Sequence, residues 1–176
     1  MKILAALSAL AALPHFARAD WQPDPASVHE QRVAAAIAEF AAQVPQRYFA
    51  ETFGYAVFPR VRRAGYGLGG AWGRGMAFEA GIPVGDAGFW QVTSGIQAGA
   101  RTLAMIVFFK DESAMRAYKD GRLQFMGQAG FAAASLGSMK TPAYNSGVAI
   151  FALDGFGLMG EASIAMGKLS FSGNAD

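Results

Sequence analysis

The distribution of glycine divides this chain into two parts that must fold differently. All 22 glycines of the 176 residues lie at or after Gly54. Glycine weakens a helix by roughly 1 kcal/mol relative to alanine, whereas in strands and turns it lets backbones approach closely. The chain is 53% hydrophobic, which is sufficient for one domain-sized core. We therefore expect helices first and a glycine-rich sheet after them, in a single domain over residues 20–176.

The segment before Gly54 carries the signals of two helices. Ser27 and Glu30 form an S-x-x-E capping box, which marks a helix start. Pro45 ends this helix and can open the next one, with Gly54 as its C-terminal cap. The predicted helices cover residues 27–44 and 46–53. The apolar positions of the first recur at helical spacing, at Val33, Ile37, Phe40, Ala41 and Val44.

The segment after Gly54 has the two-residue period of strands. Over residues 65–73, one face would consist of glycine and Ala71, and it would let a second backbone or a flat ligand approach closely. Residues 90–98 alternate between an apolar and a polar series, which predicts a half-buried strand with one solvent face. The unbroken apolar run 103–109 predicts a strand covered on both sides.

The remaining sequence predicts one short helix and a closing hairpin. Asp111 is a candidate N-cap, and Gly121 closes that helix. Alternation resumes over 123–131, and an Asp-Gly turn joins the runs 148–153 and 156–169. The expected class is α+β, with N-terminal helices packed on a curled, mainly antiparallel β-sheet of sandwich or barrel form and one further short helix.

Residues 1–19 have the pattern of a secretory signal peptide. Lys2 precedes the apolar run 3–13, and A-R-A at 17–19 is a cleavage pattern. We expect cleavage after Ala19 and an exported protein, periplasmic or secreted. Loss of Lys2 and Arg18 lowers the 15 basic residues to 13, which equals the 13 acidic residues. Phosphate-binding nucleic-acid proteins normally carry a basic excess, so we expect no nucleic-acid partner.

The usual residues of catalytic and metal sites are scarce. The chain has no cysteine and two histidines, His15 in the predicted signal and His29. The G-x-G-x-x-G match at 65–70 is followed by AWGRG, which cannot open the helix that a dinucleotide site requires. We therefore predict no catalytic residue, no metal, no cofactor and no enzymatic activity.

One cluster of charged and aromatic residues is a candidate binding site. In an extended segment, Arg60 and Arg62 point the same way and Arg63 points opposite. Arginines at this density form an anion site for phosphate or lipid head groups, or else a solvated loop. Arginine beside tryptophan is typical of a membrane-interface contact. The candidate lipid-binding residues are Arg60, Arg62, Arg63, Trp72, Arg74, Phe89 and Trp90.

The same region resembles a known family. GYAVFPRV at 54–61, AGYGLGG at 64–70, GFWQVTSG at 88–95, the strand residues 97–109 and GFGLMGEAS at 155–163 are together similar to the SYLF domain family. The resemblance covers the predicted mature chain and implies a phospholipid-binding module. Eukaryotic members are directed to phosphoinositides, and some bind actin. This chain lacks their basic amphipathic N-terminal helix, and actin does not fit an exported protein.

Two functions therefore stay open. The first is non-enzymatic binding of anionic phospholipid at the bacterial cell envelope, through the arginines and aromatic residues. The second is a structural or protein-interaction module of the envelope, in which the bare glycine face packs against a protein partner and lipid is incidental.

Overall fold

The computed structural model describes residues 21–66, 68–94, 99–123, 144–154, 157–160 and 167–173. Four sequence predictions lie wholly or largely outside these residues. They are the signal peptide, the glycine at position 67, the alternation over 123–131 and the turn glycine at position 155.

Both predicted N-terminal helices are confirmed. Helix α1 spans Val28–Gln43, and the Ser27 side chain accepts a hydrogen bond from the Glu30 backbone N–H at 3.2 Å. Helix α2 spans Gln46–Glu51, with Pro45 as its N-cap. Gly54 does not cap α2 as predicted. It begins the first strand, where an added Cβ would lie 2.6 Å from the Phe78 carbonyl oxygen.

Seven antiparallel strands of the described residues form one sheet, so the predicted α+β class is confirmed. The strands are β1 (Gly54–Tyr66), β2 (Leu68–Glu79), β3 (Ile82–Ser94), β4 (Gly99–Phe109), β5 (Val148–Asp154), β6 (Gly157–Gly160) and β7 (Gly167–Gly173). In spatial order they are β6-β5-β4-β1-β2-β3-β7. A third helix, α3 at Glu112–Lys119, follows β4 and is capped by the Asp111 side chain as predicted.

The sheet curls around α3. Tyr118 of this helix stacks on Phe109 of β4 with ring centroids 4.8 Å apart. Its hydroxyl donates a hydrogen bond to the Ser170 carbonyl of β7 at 3.1 Å. Because β4 and β7 are separated by three strands, one short helix can contact both only if the sheet bends towards it. We call the side that holds α3 the inner face.

The opposite side, the outer face, carries α1 and α2. The helices pack on the end of the sheet where β1 begins. There, Phe40 and Phe49 are buried in one cluster with Tyr55, Val57 and Phe108. Residues of β4 alternate between the two cores. Met105, Val107 and Phe109 are in the inner core, and the intervening residues are in the outer core. The prediction that residues 103–109 are covered on both sides is confirmed.

Two predicted strand connections are wrong. Residues 65–73 are not one strand, because the chain reverses between Tyr66 and Leu68 and the two residues pair. The run 156–169 is also divided. β6 completes the hairpin with β5, whereas β7 pairs with β3 at the other edge of the sheet.

The bare glycine face is covered from within the chain at Gly73. Gly73 and Gly75 lie on the inner side of β2, between longer side chains on β1 and β3. Phe58 of β1 and Phe89 of β3 have ring centroids 6.1 Å apart, so their rings meet over the small residues of β2. Over Gly73, the hydrophobic core of this chain therefore fills the space that was predicted for a second backbone or a flat ligand.

Candidate functional site

The outer face is exposed where the helices end, and a row of large side chains crosses it. Arg62 of β1 stands opposite Trp72 of β2, and Trp72 stands opposite Trp90 of β3. Trp90 in turn stands opposite Lys168 of β7. Both tryptophans are 50% exposed, and Arg62 and Lys168 are exposed as well. The row spans three interstrand steps, or about 14 Å.

A second pair of cations lies beside this row. Arg60 and Arg74 are direct cross-strand partners, and both are exposed. Each is two residues along its strand from a member of the first row, which places it on the same face at a spacing of about 7 Å. We call this set the basic-aromatic surface. It consists of Arg60, Arg62, Trp72, Arg74, Trp90 and Lys168.

The basic-aromatic surface carries a local excess of positive charge. None of its four cations forms a salt bridge with a carboxylate of a described residue. Asp86 is the acidic residue at an outer-face position among the described strand residues. Like charges directly opposite each other on a sheet are destabilising, so the pairing of Arg60 with Arg74 favours an anion close to both.

Alternation along β2 and β3 places the apolar part of this surface. Trp72 and Arg74 share the outer face with Met76 and Phe78, which lie in the outer core further along the same strand. Val92 is next to Trp90 on its face and is 55% exposed. The tryptophans are exposed because α1 and α2 reach only the far end of these strands.

The structure does not bring two of the predicted site residues to this surface. Phe89 is 3% exposed and packs in the inner core, because adjacent residues of a strand face opposite ways. Arg63 is partly buried and pairs with Ala71, on the side opposite to Arg62. The strand period, applied to Phe89 and Trp90 together, would have separated them.

Lys168 was not among the predicted site residues, and the orientation of β3 also differs from the prediction. Nothing in the sequence near Lys168 indicates that β7 pairs with β3, so its position beside Trp90 follows only from the sheet order. In the alternating run 90–98, Trp90 and Val92 face solvent, whereas Gln91 is 2% exposed. At Gln91 the polar series is thus the buried one.

No other part of the described chain assembles a comparable group of functional side chains. His29 lies in the first turn of α1 and is partly buried. Among the described residues, no cluster of three His, Cys, Asp or Glu side chains has the arrangement of a metal site. None of the described helices is long and apolar enough to span a bilayer.

Comparison with known proteins adds no relative. No protein-family model matches the chain, and no curated protein matches it. The similarity to the SYLF family therefore stays a prediction from the motifs quoted above.

Proposed function

We propose that this protein is a non-enzymatic module of the bacterial cell envelope that binds anionic phospholipid head groups through the basic-aromatic surface. The observation that supports the proposal is the cross-strand row of Arg62, Trp72, Trp90 and Lys168 on the exposed half of the outer face. It combines exposed cations with half-exposed tryptophans, which are the two components of a membrane-interface contact.

The composition of the surface sets the strength of binding. A basic residue near an anionic membrane contributes about 1 kcal/mol, so four give about 4 kcal/mol before the tryptophans are counted. This contribution decays within a Debye length, about 8 Å at physiological salt. The predicted mature chain is formally neutral, and no long-range attraction adds to the local one. Binding is therefore reversible and salt-sensitive.

Co-sedimentation with vesicles tests this function. The protein is expected to bind vesicles rich in phosphatidylglycerol at low salt, to dissociate at high salt, and to bind phosphatidylcholine vesicles only weakly. Replacing Arg60, Arg62 and Arg74 by alanine removes three of the four cations and should weaken binding at least about a hundredfold.

A matched control separates the surface from the total charge. Arg32, Arg116 and Arg122 are exposed, lie on or next to helices and are not part of the basic-aromatic surface. Their triple alanine variant loses the same three charges and should bind like the natural protein. Equal loss in both triple variants would contradict the proposed site. Absence of vesicle binding by the natural protein would favour the protein-interaction module instead.

A further inference from the structure

In its pairing with each neighbouring strand, β1 contains one extra residue. Between the pairs Val57–Met76 and Arg60–Arg74, β1 has two residues and β2 has one. The same shift occurs against β4, between Phe58 and Val61. Pro59 is the residue common to both irregularities, so β1 bulges there. Proline has no N–H to donate, and within a central strand it is found essentially only at such a bulge.

The bulge changes which residues face outwards. Before it, Tyr55 and Val57 are on the outer face; after it, Arg62 is outside and Val61 is in the inner core. A regular strand of the same length would keep the odd-numbered residues outside. It would expose Val61 and turn Arg60 and Arg62 inwards, away from Trp72 and Arg74.

Two glycines of β2 accommodate the bulge. A Cβ added at Gly75 would overlap the carbonyl oxygen of Val57, and its second contact would be the Val57 carbonyl carbon at 2.7 Å. A Cβ added at Gly73 would lie 2.9 Å from the Arg60 carbonyl oxygen. These are backbone atoms, so no side-chain movement can relieve the overlap. Gly75 in particular must remain a glycine for the bulge to persist.

We propose that the Pro59 bulge, seated on Gly75, is the positioning device that places Arg60 and Arg62 on the basic-aromatic surface. Pro59 and Gly75 are then positioning residues for membrane binding, which they serve without contacting lipid. The inference rests on the proposed function for its biological meaning. The placement of the arginines, however, is measurable without any membrane.

Cysteine labelling reports this placement directly, because the chain has no cysteine of its own. In the natural background, Arg62→Cys should react rapidly with a maleimide, and Val61→Cys should react at least about tenfold more slowly because position 61 is buried. In a Gly75→Ala background the overlap with Val57 forces the strand to slip by one residue. The two labelling rates should then exchange order.

In the Gly75→Ala background, deletion of Pro59 should restore the outward placement of the arginines. Without the extra residue, alternation runs unbroken from Val57 to Arg60, and the arginines stay outside without a bulge. The Gly75→Ala variant lacking Pro59 should therefore regain the natural labelling order and, in the cysteine-free form, vesicle binding. Gly70→Ala is the matched control, since its added Cβ would be 3.4 Å from the nearest atom and should leave the labelling order unchanged.

Each outcome decides the proposal. Exchange of the labelling order in Gly75→Ala with rescue by the deletion supports it. So does a Gly75→Ala protein that fails to fold while the rescued variant folds with the cysteine at position 62 exposed. An unchanged labelling order in folded Gly75→Ala overturns it, as does failure of the deletion to rescue. If the labelling behaves as expected but the natural protein binds no vesicle, only the proposed function fails.

Discussion

At the scale of single residues, the backbone conformation identifies one turn position whose natural residue is not the one that best suits the turn. Ala80 and Gly81 join β2 to β3 as a two-residue turn, and both have positive φ, 48° and 81°. Two positive φ angles define the type I′ hairpin turn, for which Asn-Gly is the favoured sequence. Alanine in this left-handed conformation costs about 1–2 kcal/mol, and asparagine tolerates it better.

Replacing Ala80 by asparagine should therefore stabilise the protein by up to about 1 kcal/mol, a rise of roughly 2–4 °C in Tm. Thermal unfolding followed by circular dichroism measures the change. Ala50→Asn is the control, because Ala50 is exposed within α2, where asparagine lowers helix stability. A Tm of Ala80→Asn at or below that of the natural protein would contradict this account of the turn.

At the scale of secondary-structure elements, α3 holds the curl of the sheet through Tyr118. This residue is fully buried, and its hydroxyl joins the helix to β7. Burial raises the pKa of Tyr118 well above its usual value near 10, and the negative charge of Asp86 adds to the shift. The pKa of Tyr118 is therefore higher in the folded protein than in the unfolded protein. Burial of the neutral phenol contributes stability that is fully present below pH 10 and is lost as the pH rises further.

Tyr118→Phe should separate two effects of this hydroxyl on stability: its hydrogen bond to the Ser170 carbonyl and its ionisation at high pH. At neutral pH the variant should lose about 0.5–1.5 kcal/mol, because the Ser170 carbonyl loses its donor. Between neutral pH and about pH 11 its stability should fall less than that of the natural protein, since one buried phenol no longer ionises. Urea unfolding at both pH values gives the comparison. An identical alkaline loss in the two proteins would show that Tyr118 does not titrate with unfolding.

The elements that the sequence predicts correctly are those whose signals are local. Ser27 with Glu30 and Asp111 with its following turn are capping signals, and each is satisfied within three residues. Strand pairing has no such local signal. A two-residue period indicates that a strand has two different faces. It does not indicate which strand lies beside it or which face is covered. Hence the pairing of β7 with β3 could not be predicted.

At the scale of the whole molecule, the candidate site combines predictable and unpredictable parts. The shared face of Arg60 and Arg62 and the placement of Arg63 opposite them follow from the strand period alone. That this face is also the face of Trp72 depends on the chain reversal after Tyr66 and on the Pro59 bulge, two irregularities that interrupt the period. Lys168 joins from the far edge of the sheet.

The position of α1 and α2 constrains how this molecule can meet a membrane. The helices stand on the outer face as a layer about 10 Å thick, so a sheet lying flat on a bilayer would hold the tryptophans away from it. For the proposed membrane binding, the exposed half must therefore approach obliquely, with the last residues of β1 and the first residues of β2 leading. Trp72 and Trp90 are in one cross-strand row and should reach similar depths, whereas Trp21 packs against Phe78 near the helices.

Three single-tryptophan proteins test this orientation, because the chain has three tryptophans in all. Each protein keeps one of Trp21, Trp72 and Trp90 and has phenylalanine at the other two positions. With anionic vesicles containing brominated phospholipid, fluorescence from Trp72 and from Trp90 should be quenched to a similar extent, and fluorescence from Trp21 should be unaffected. The three proteins are compared at equal bound fraction, measured by co-sedimentation, so that unquenched Trp21 fluorescence reflects its position and not weaker binding. Quenching of Trp21 alone, or of all three equally, would mean that the protein binds membranes by another surface.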